Sequence, residues 1–309
     1  MHPAERRRSM NPALPKRRGR RLRLQLSVAG AFDLFASRLE ITDLQQDTVS
    51  IRQQAVRAAV ARRLRVLDSF LTGSYRRHTM ICPLAGADVD LFCVLDPGYH
   101  HPVGQAALLN IVRRVLRETY PTTPQISPNG QAVTIRFTDF AVEVVPGFYR
   151  QGGGFLIPSS AERRWIETDP KAHEVFIATA NAAHGGKLVP LIKMIKAWNR
   201  NSGSRLRSFY LELMVESCLR GVQISDCRSS AAYVFAHARN AVQWKMFDPS
   251  ALDGGQVNGL ARGGGPEATA ALTLAHSRAL DAVRLEQAGF TRRSRERWRQ
   301  IFGDPFPTN

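Results

Sequence analysis

The run Ala-Asp-Val-Asp-Leu-Phe-Cys-Val-Leu at residues 87–95 constrains this chain more than any other stretch. Its apolar and β-branched residues predict a strand. A strand repeats its side-chain direction every second residue, so Asp88 and Asp90 project from one face. Two carboxylates held side by side repel each other unless a cation lies between them, and Mg²⁺ takes one or two carboxylates together with substrate phosphates. Upstream, residues 67–72 read as a short strand that ends in Gly73-Ser74, a phosphate-sized turn. The fold must bring this turn and the acid-bearing strand together, and the stretch reads as a nucleotide site.

Around it the pattern alternates. Apolar residues recur at helical intervals over residues 24–39 and 51–67, ahead of the motif, and again over 105–119. Asp96-Pro97-Gly98 stops the acid-bearing strand, residues 120–130 read as a Pro/Gly/Asn loop, and two strands follow at 132–137 and 140–145. This is an α/β (α+β) pattern. Residues 151–168, with three consecutive glycines, read as a loop-rich passage. Beyond it the sequence predicts helices at 173–183, 187–200, 208–221, 229–246 and 266–289, with 254–265 as a mobile surface loop.

A third acid, Glu143, is the one charged residue in Phe-Ala-Val-Glu-Val-Val at 140–145. A lone buried carboxylate costs several kcal/mol unless it is paired or metal-bound, so Glu143 either joins the Asp pair at a metal or pairs with an arginine such as Arg136. Lys196 borders the apolar stripe of its helix, placed either to reach into a cleft between lobes or to snorkel to water. Ser208 opens the next helix, as a phosphate contact or a plain N-cap, and Phe209 beside it either stacks on a base or packs.

The formal charge of +17 is unevenly spread. Residues 1–23 hold nine Lys and Arg against Glu5, about half of the excess, and without an apolar period they predict a disordered basic tail. That tail is either a solubilising extension, with Met10 as an alternative start, or an arm for nucleic acid or an acidic partner. The rest remains basic, which suits a protein that holds triphosphates or a polyanion. No apolar run approaches a membrane span, no signal segment opens the chain, and the four scattered cysteines form no CxxC pair. A cytoplasmic protein with reduced thiols is expected, with no membrane partner.

Taken in order, Gly73-Ser74-Tyr75-Arg76 with Thr79, Asp88-Val89-Asp90-Leu91, Val142-Glu143-Val144-Val145-Pro146, Trp165 with Asp169-Pro170 and His173, Lys196-Ala-Trp-Asn199, Ser208-Phe-Tyr-Leu-Glu212 and the closing Trp298 to Pro307 resemble the bacterial cGAS/DncV-like nucleotidyltransferases. These CD-NTases make cyclic oligonucleotide signals in anti-phage defence (CBASS). The resemblance implies a polymerase-β-like lobe with a mixed sheet over residues 24–165, including the N-terminal helices. An all-helical lobe over 166–309 would follow, with the active site between them. It further implies that Gly73 and Ser74 bind the donor triphosphate, and that Asp88 and Asp90 hold two Mg²⁺, Mn²⁺ being an alternative. Glu143 would bind the catalytic metal near the attacking hydroxyl, Lys196 and Ser208 would contact phosphates, and Phe209 would stack on a base. The implied function joins ATP, GTP or other nucleoside triphosphates into a cyclic di- or trinucleotide, releasing pyrophosphate. Its partners would be those triphosphates, with a regulatory protein or nucleic acid on the basic surface. Glu143 stands where the family most often has Asp. A transferase that extends RNA or modifies a small molecule would use the same three acids, and a catalytically quiet nucleotide sensor would share the fold.

Overall fold

The structure, a computed structural model, describes residues 26–243, 245–252, 254–257 and 264–308. The expected basic tail lies outside these residues, as does half of the loop expected at 254–265.

Two helices lead in. α1 (Val28–Leu39) is capped by Ser27, whose side chain accepts from the Gly30 N–H. α2 (Asp43–Ala61) starts on a reciprocal capping box between Thr42 and Gln45. β1 (Val66–Thr72) runs into a single helical turn, α3 (Gly73–Arg76), and β2 (Asp88–Leu95) returns antiparallel to β1. α4 (Gln105–Thr119) then crosses over, burying Leu108, Leu109, Val112, Val115 and Leu116 at helical spacing. It leads to β3 (Ile126–Asn129), β4 (Ala132–Arg136) and β5 (Ala141–Tyr149), which lies parallel to β2 as a crossover permits. The order is β1-β2-β5-β4-β3, with β3 at the edge. β6 (Phe155–Ser159) and β7 (Arg164–Thr168) extend β5 as a hairpin where the sequence reading expected a loop. Gly152 to Gly154 all take positive φ to make its tight entry, and Pro158 lies in the strand itself, so the strand signal was masked by turn residues.

The helical lobe contains α5 (Pro170–Ala183), α6 (Leu188–Asn201), α7 (Ser208–Leu219), α8 (Cys227–Ala241), α9 (Gly264–Gln287) and α10 (Thr291–Phe302). It also carries a short ribbon of β8 (Met246–Phe247) and β9 (Gln256–Val257).

The hydrophobic clusters divide the chain differently from the boundary at residue 165. Val28, Phe32, Phe35 and Leu39 of α1 share the core of α6 to α10, whereas α2 and α4 pack on the back of the sheet. Phe32 meets the Trp298 ring edge-on at 5.0 Å and Phe306 at 5.1 Å, and Arg38 donates to the Pro305 carbonyl. Each such aromatic pair contributes about 0.5–1.5 kcal/mol beyond its buried area. The closing Trp298 to Pro307 stretch is therefore a clasp on α1, which joins the helical lobe although it precedes the sheet. At the other end, β7 carries the sheet past residue 165, and the chain changes lobe at Asp169, whose side chain caps α5.

Candidate active site

The front face of the sheet is built by register. Thr72 of β1, Asp90 of β2, Glu143 of β5 and Thr134 of β4 are successive cross-strand partners, so they form one row across four strands. Asp88 stands two residues before Asp90 on the same face. Gly73 follows the row at φ +67°, and a Cβ there would lie 1.6 Å from Asp90 Oδ2. Only glycine lets the turn close on the carboxylate.

This acid face is electrostatically strained. Enclosure by protein, then Glu143 and Asp88, push the Asp90 carboxyl up to about 7 against the pull of Arg77 and Lys196. Asp88 is also raised, by burial and by Glu143, with Arg136 opposing, and its Oδ1 is sealed from solvent without a hydrogen-bond partner. Glu143 is not paired with Arg136: its Oε1 accepts from Thr134 Oγ1 at 2.8 Å and Asn129 Nδ2 at 3.3 Å. Among the described residues no three His, Cys, Asp or Glu side chains are drawn together as a ready metal cage. The donor set nevertheless fits a hard divalent cation, since an orphaned carboxylate oxygen and two carboxyls resisting ionisation are what a cation would relieve.

Facing the acids is a second buried cluster. Lys196 of α6 is 6% exposed, and its Nζ lies 2.6 Å from Glu212 Oε1 of α7 and 3.1 Å from both the carbonyl and hydroxyl of Thr79. Arg77 completes it, with Nε 2.8 Å from Glu212 Oε2 and Nη2 3.2 Å from Oε1. Burial alone would raise the fully enclosed Glu212 carboxyl, but Lys196 and Arg77 outweigh it and hold it down to about 2. Lys196 therefore neither snorkels to water nor stands as a free cation. With Arg77 and Thr79 it ties the turn after α3 to the helical lobe.

Ser208 is the first residue of α7 but not its cap, a position held by Arg207 without a side-chain hydrogen bond. Phe209 is half-buried between lobes, with the His173 ring 4.5 Å away and the Arg77 guanidinium 4.7 Å from its centroid. His173 Nε2 lies 2.7 Å from Asp248 Oδ1; a carboxylate only accepts, so Nε2 carries the proton. Burial pushes Asp248 up, yet hydrogen bonds from His173 and Ser250 outweigh it and hold its carboxyl below the ordinary value.

All eight residues singled out from sequence, Gly73, Ser74, Asp88, Asp90, Glu143, Lys196, Ser208 and Phe209, line one cavity of about 520 Å³ between the lobes. Phe92, Val145 and Ile157 extend it as an apolar floor. Arg77, Thr134, Glu212 and the His173–Asp248 pair had no role assigned from sequence. Glu212 and Thr79 stood in the quoted motifs, but nothing in either motif says that they meet.

Residues 26–181 match the family described as the Second Messenger Oligonucleotide or Dinucleotide Synthetase (SMODS) domain. A cyclic AMP-AMP-AMP synthase of Acinetobacter sp. is 29% identical over 160 residues, 48% of this chain and 45% of that protein, so the match spans under half of the relative's length. Among solved structures, E. coli MS115-1 CdnC with ATP superposes with TM-score 0.68 at 19% identity, covering 90% of this chain and 98% of that one; CdnC is also known in a complex with HORMA-deltaN. Bradyrhizobium diazoefficiens CdnG with GTP gives TM-score 0.70 at 14% identity over 89% and 94% of the two chains. These likenesses show that the two-lobed fold is shared over nearly the whole described chain. With its acid-bearing sheet, glycine turn and interlobe cavity, the chain belongs to the SMODS family.

Proposed function

We propose that this protein joins nucleoside triphosphates into a cyclic di- or trinucleotide, with release of pyrophosphate, as a signal in bacterial anti-phage defence. The observation that carries the reading is the row holding Asp90 and Glu143, with Asp88 beside it and the Gly73 turn closing on Asp90. It gathers a phosphate-sized turn and three acids in one interlobe cavity. In each joining step a ribose hydroxyl oxygen bonds to the donor's α-phosphorus, the bond from that phosphorus to the α,β-bridging oxygen breaks, pyrophosphate leaves, and the hydroxyl proton passes to water. Two Mg²⁺ held by Asp88, Asp90 and Glu143 would supply charge neutralisation at the attacking and departing oxygens.

The chain's own residues orient the reactants. Gly73, lacking a Cβ, lets donor phosphates approach the backbone beside Asp90, and Ser74 follows it at the cavity wall. Thr134 and Asn129 fix Glu143, which compensates its extra methylene relative to Asp by anchoring one carboxylate oxygen. Lys196 and Arg77, two cations against the single Glu212, keep net positive charge at the interlobe end of the cavity, favourable to phosphate, while Ser208 lines the same wall. Phe209, backed by His173 and Arg77, offers an aromatic surface for a base. The nucleotide-bound relatives and the family match support this assignment, and the HORMA complex of CdnC supports a regulatory protein as partner.

Mass spectrometry of products from a mixture of the four ribonucleoside triphosphates with Mg²⁺ tests it. A cyclic oligonucleotide resistant to phosphatase and 3′ exonuclease is expected, and Asp88→Ala is expected to abolish it. Only linear tailing products, or wild-type yield from the variant, would overturn the reading.

A further inference from the structure

A cavity in the helical lobe takes no part in the joining reaction. It occupies about 380 Å³ between α6, α9 and α10 and shares no lining residue with the cavity at the acids. That volume is typical of a small-molecule site.

Its walls follow from helical spacing. Ala270, Ala271, Leu274 and Ala275 of α9 stand three and four residues apart in pairs, so they share one face. Three of the four are alanines, which leaves a hollow where larger side chains would fill the contact. Trp198 of α6 and Ile301 of α10, each 2% exposed, form the floor, whereas Leu274 is 50% exposed.

One charge in this lining is unmet. Arg205, in the turn between α6 and α7, forms no side-chain hydrogen bond or ion pair among the described residues, and its Nε is sealed from solvent. Arg278 is anchored, its Nη1 donating to the Gln300 carbonyl at 3.1 Å. Glu267 is the one acid of the lining, and it pairs with neither arginine. Two cations against one acid leave a single excess positive charge. A donor sealed from water without a partner is unfavourable, and an anion against the same guanidinium would offset that cost.

The chemistry of the occupant follows from these walls. Apolar sides suit an apolar body, and one excess charge suits a monoanion. The terminal nitrogens of Arg205 present a fork that matches the two oxygens of a carboxylate. A polyphosphate would bring several charges to a site that neutralises one.

The groove also meets the wall of the catalytic cavity. Ser204 lines that cavity and directly precedes Arg205. Asn199, in the same wall, brackets the next residue: its Nδ2 donates to the Leu206 carbonyl at 2.8 Å, and its Oδ1 accepts from the Leu206 N–H at 3.1 Å. An occupant held by Arg205 therefore bears on the turn that walls the nucleotide site.

We propose that the groove between α6, α9 and α10 is a second ligand site, for a small carboxylate with an apolar body. The test titrates 4-phenylbutyrate and the matched alcohol 4-phenylbutan-1-ol into the full chain, followed by ligand-observed nuclear magnetic resonance. A non-hydrolysable ATP analogue and Mg²⁺ are present throughout to compete at the catalytic cavity. Wild-type protein should bind the carboxylate about tenfold more tightly than the alcohol. Arg205→Ala, which removes no contact within the fold, should cut that preference to about twofold or less, and Arg205→Lys should keep part of it. Ala270→Trp, at an exposed position of the groove, should weaken both ligands by about tenfold or more. The preference is a ratio read within one preparation, so partial loss of folded protein cancels. No binding or equal affinities in wild type, an unchanged preference in Arg205→Ala, or unchanged binding in Ala270→Trp overturns the proposal. So does a concentration-dependent dimer that excludes the carboxylate and that Ala270→Trp dissociates, since the groove would then be an interface between copies.

Discussion

Asp88, Asp90 and Glu143 on the sheet and Arg77, Lys196 and Glu212 between the lobes are both clusters of enclosed charge, yet only in the second does the carboxylate meet cations of the protein's own. Glu212 touches two cations and the Thr79 hydroxyl at 2.8 Å, and its carboxyl is held down to about 2. Asp90 faces two further acids and is pushed up to about 7. The two walls of one cavity thus present one site that needs a cation from outside and one that the fold has already supplied with cations. The first is poised for a ligand, and the second is a strut that fixes the lobes around it.

The largest expected effect separates the two by stability. Glu212→Ala leaves Arg77 and Lys196 enclosed without a counter-charge and should destabilise the protein by about 3–5 kcal/mol, measured by urea unfolding. Asp90→Asn removes repulsion and should leave metal-free stability unchanged or higher. Equal losses in the two variants would erase the distinction.

Next come opposite pH slopes. Glu212's folded value of about 2 lies below its ordinary 4.5, so its charge stabilises the fold above that range. That contribution is lost as pH falls from about 4.5 to 2. For Asp90 the folded value of about 7 lies above the ordinary 3.8: the folded protein keeps a proton that the unfolded chain releases, and stability falls as pH rises between these values. Thermal melts of metal-free protein should show both limbs. Glu212→Gln should flatten the acidic limb and Asp90→Asn the upper one.

A smaller effect tests the anchoring of Glu143. Thr134→Val removes the 2.8 Å hydrogen bond to its Oε1 and should lower turnover by about tenfold with little change in stability. An unaffected turnover would mean that Glu143 needs no anchor.

The acid face was legible because a strand's period is local: Asp88 and Asp90 two apart, and Gly-Ser after a short apolar run, suffice. Glu143 stood out as the one charge in an apolar strand, but its partners Thr134 and Asn129 depend on β-register, which no residue of 140–145 encodes. Lys196 was visible as a stripe-edge lysine, whereas its commitment to Glu212 requires the packing of α6 on α7. The amphipathic period of residues 24–39 showed a helix without saying which lobe would cover its stripe; that answer lies in Trp298, Phe302 and Phe306 at the far end of the chain. The β6–β7 hairpin was hidden by its own glycines and Pro158. Local periodicity survives in sequence, and the contacts that join distant segments do not.

The claim that the acid face requires an external cation is tested most directly by titrating Mn²⁺ into the protein, with a non-hydrolysable ATP analogue present, and following free Mn²⁺ by electron paramagnetic resonance. Wild-type protein should bind Mn²⁺ at the cavity, Asp88→Ala and Asp90→Asn should each lose most of that binding, and Glu212→Gln should retain it. Binding by the two Asp variants at the wild-type level would contradict the account.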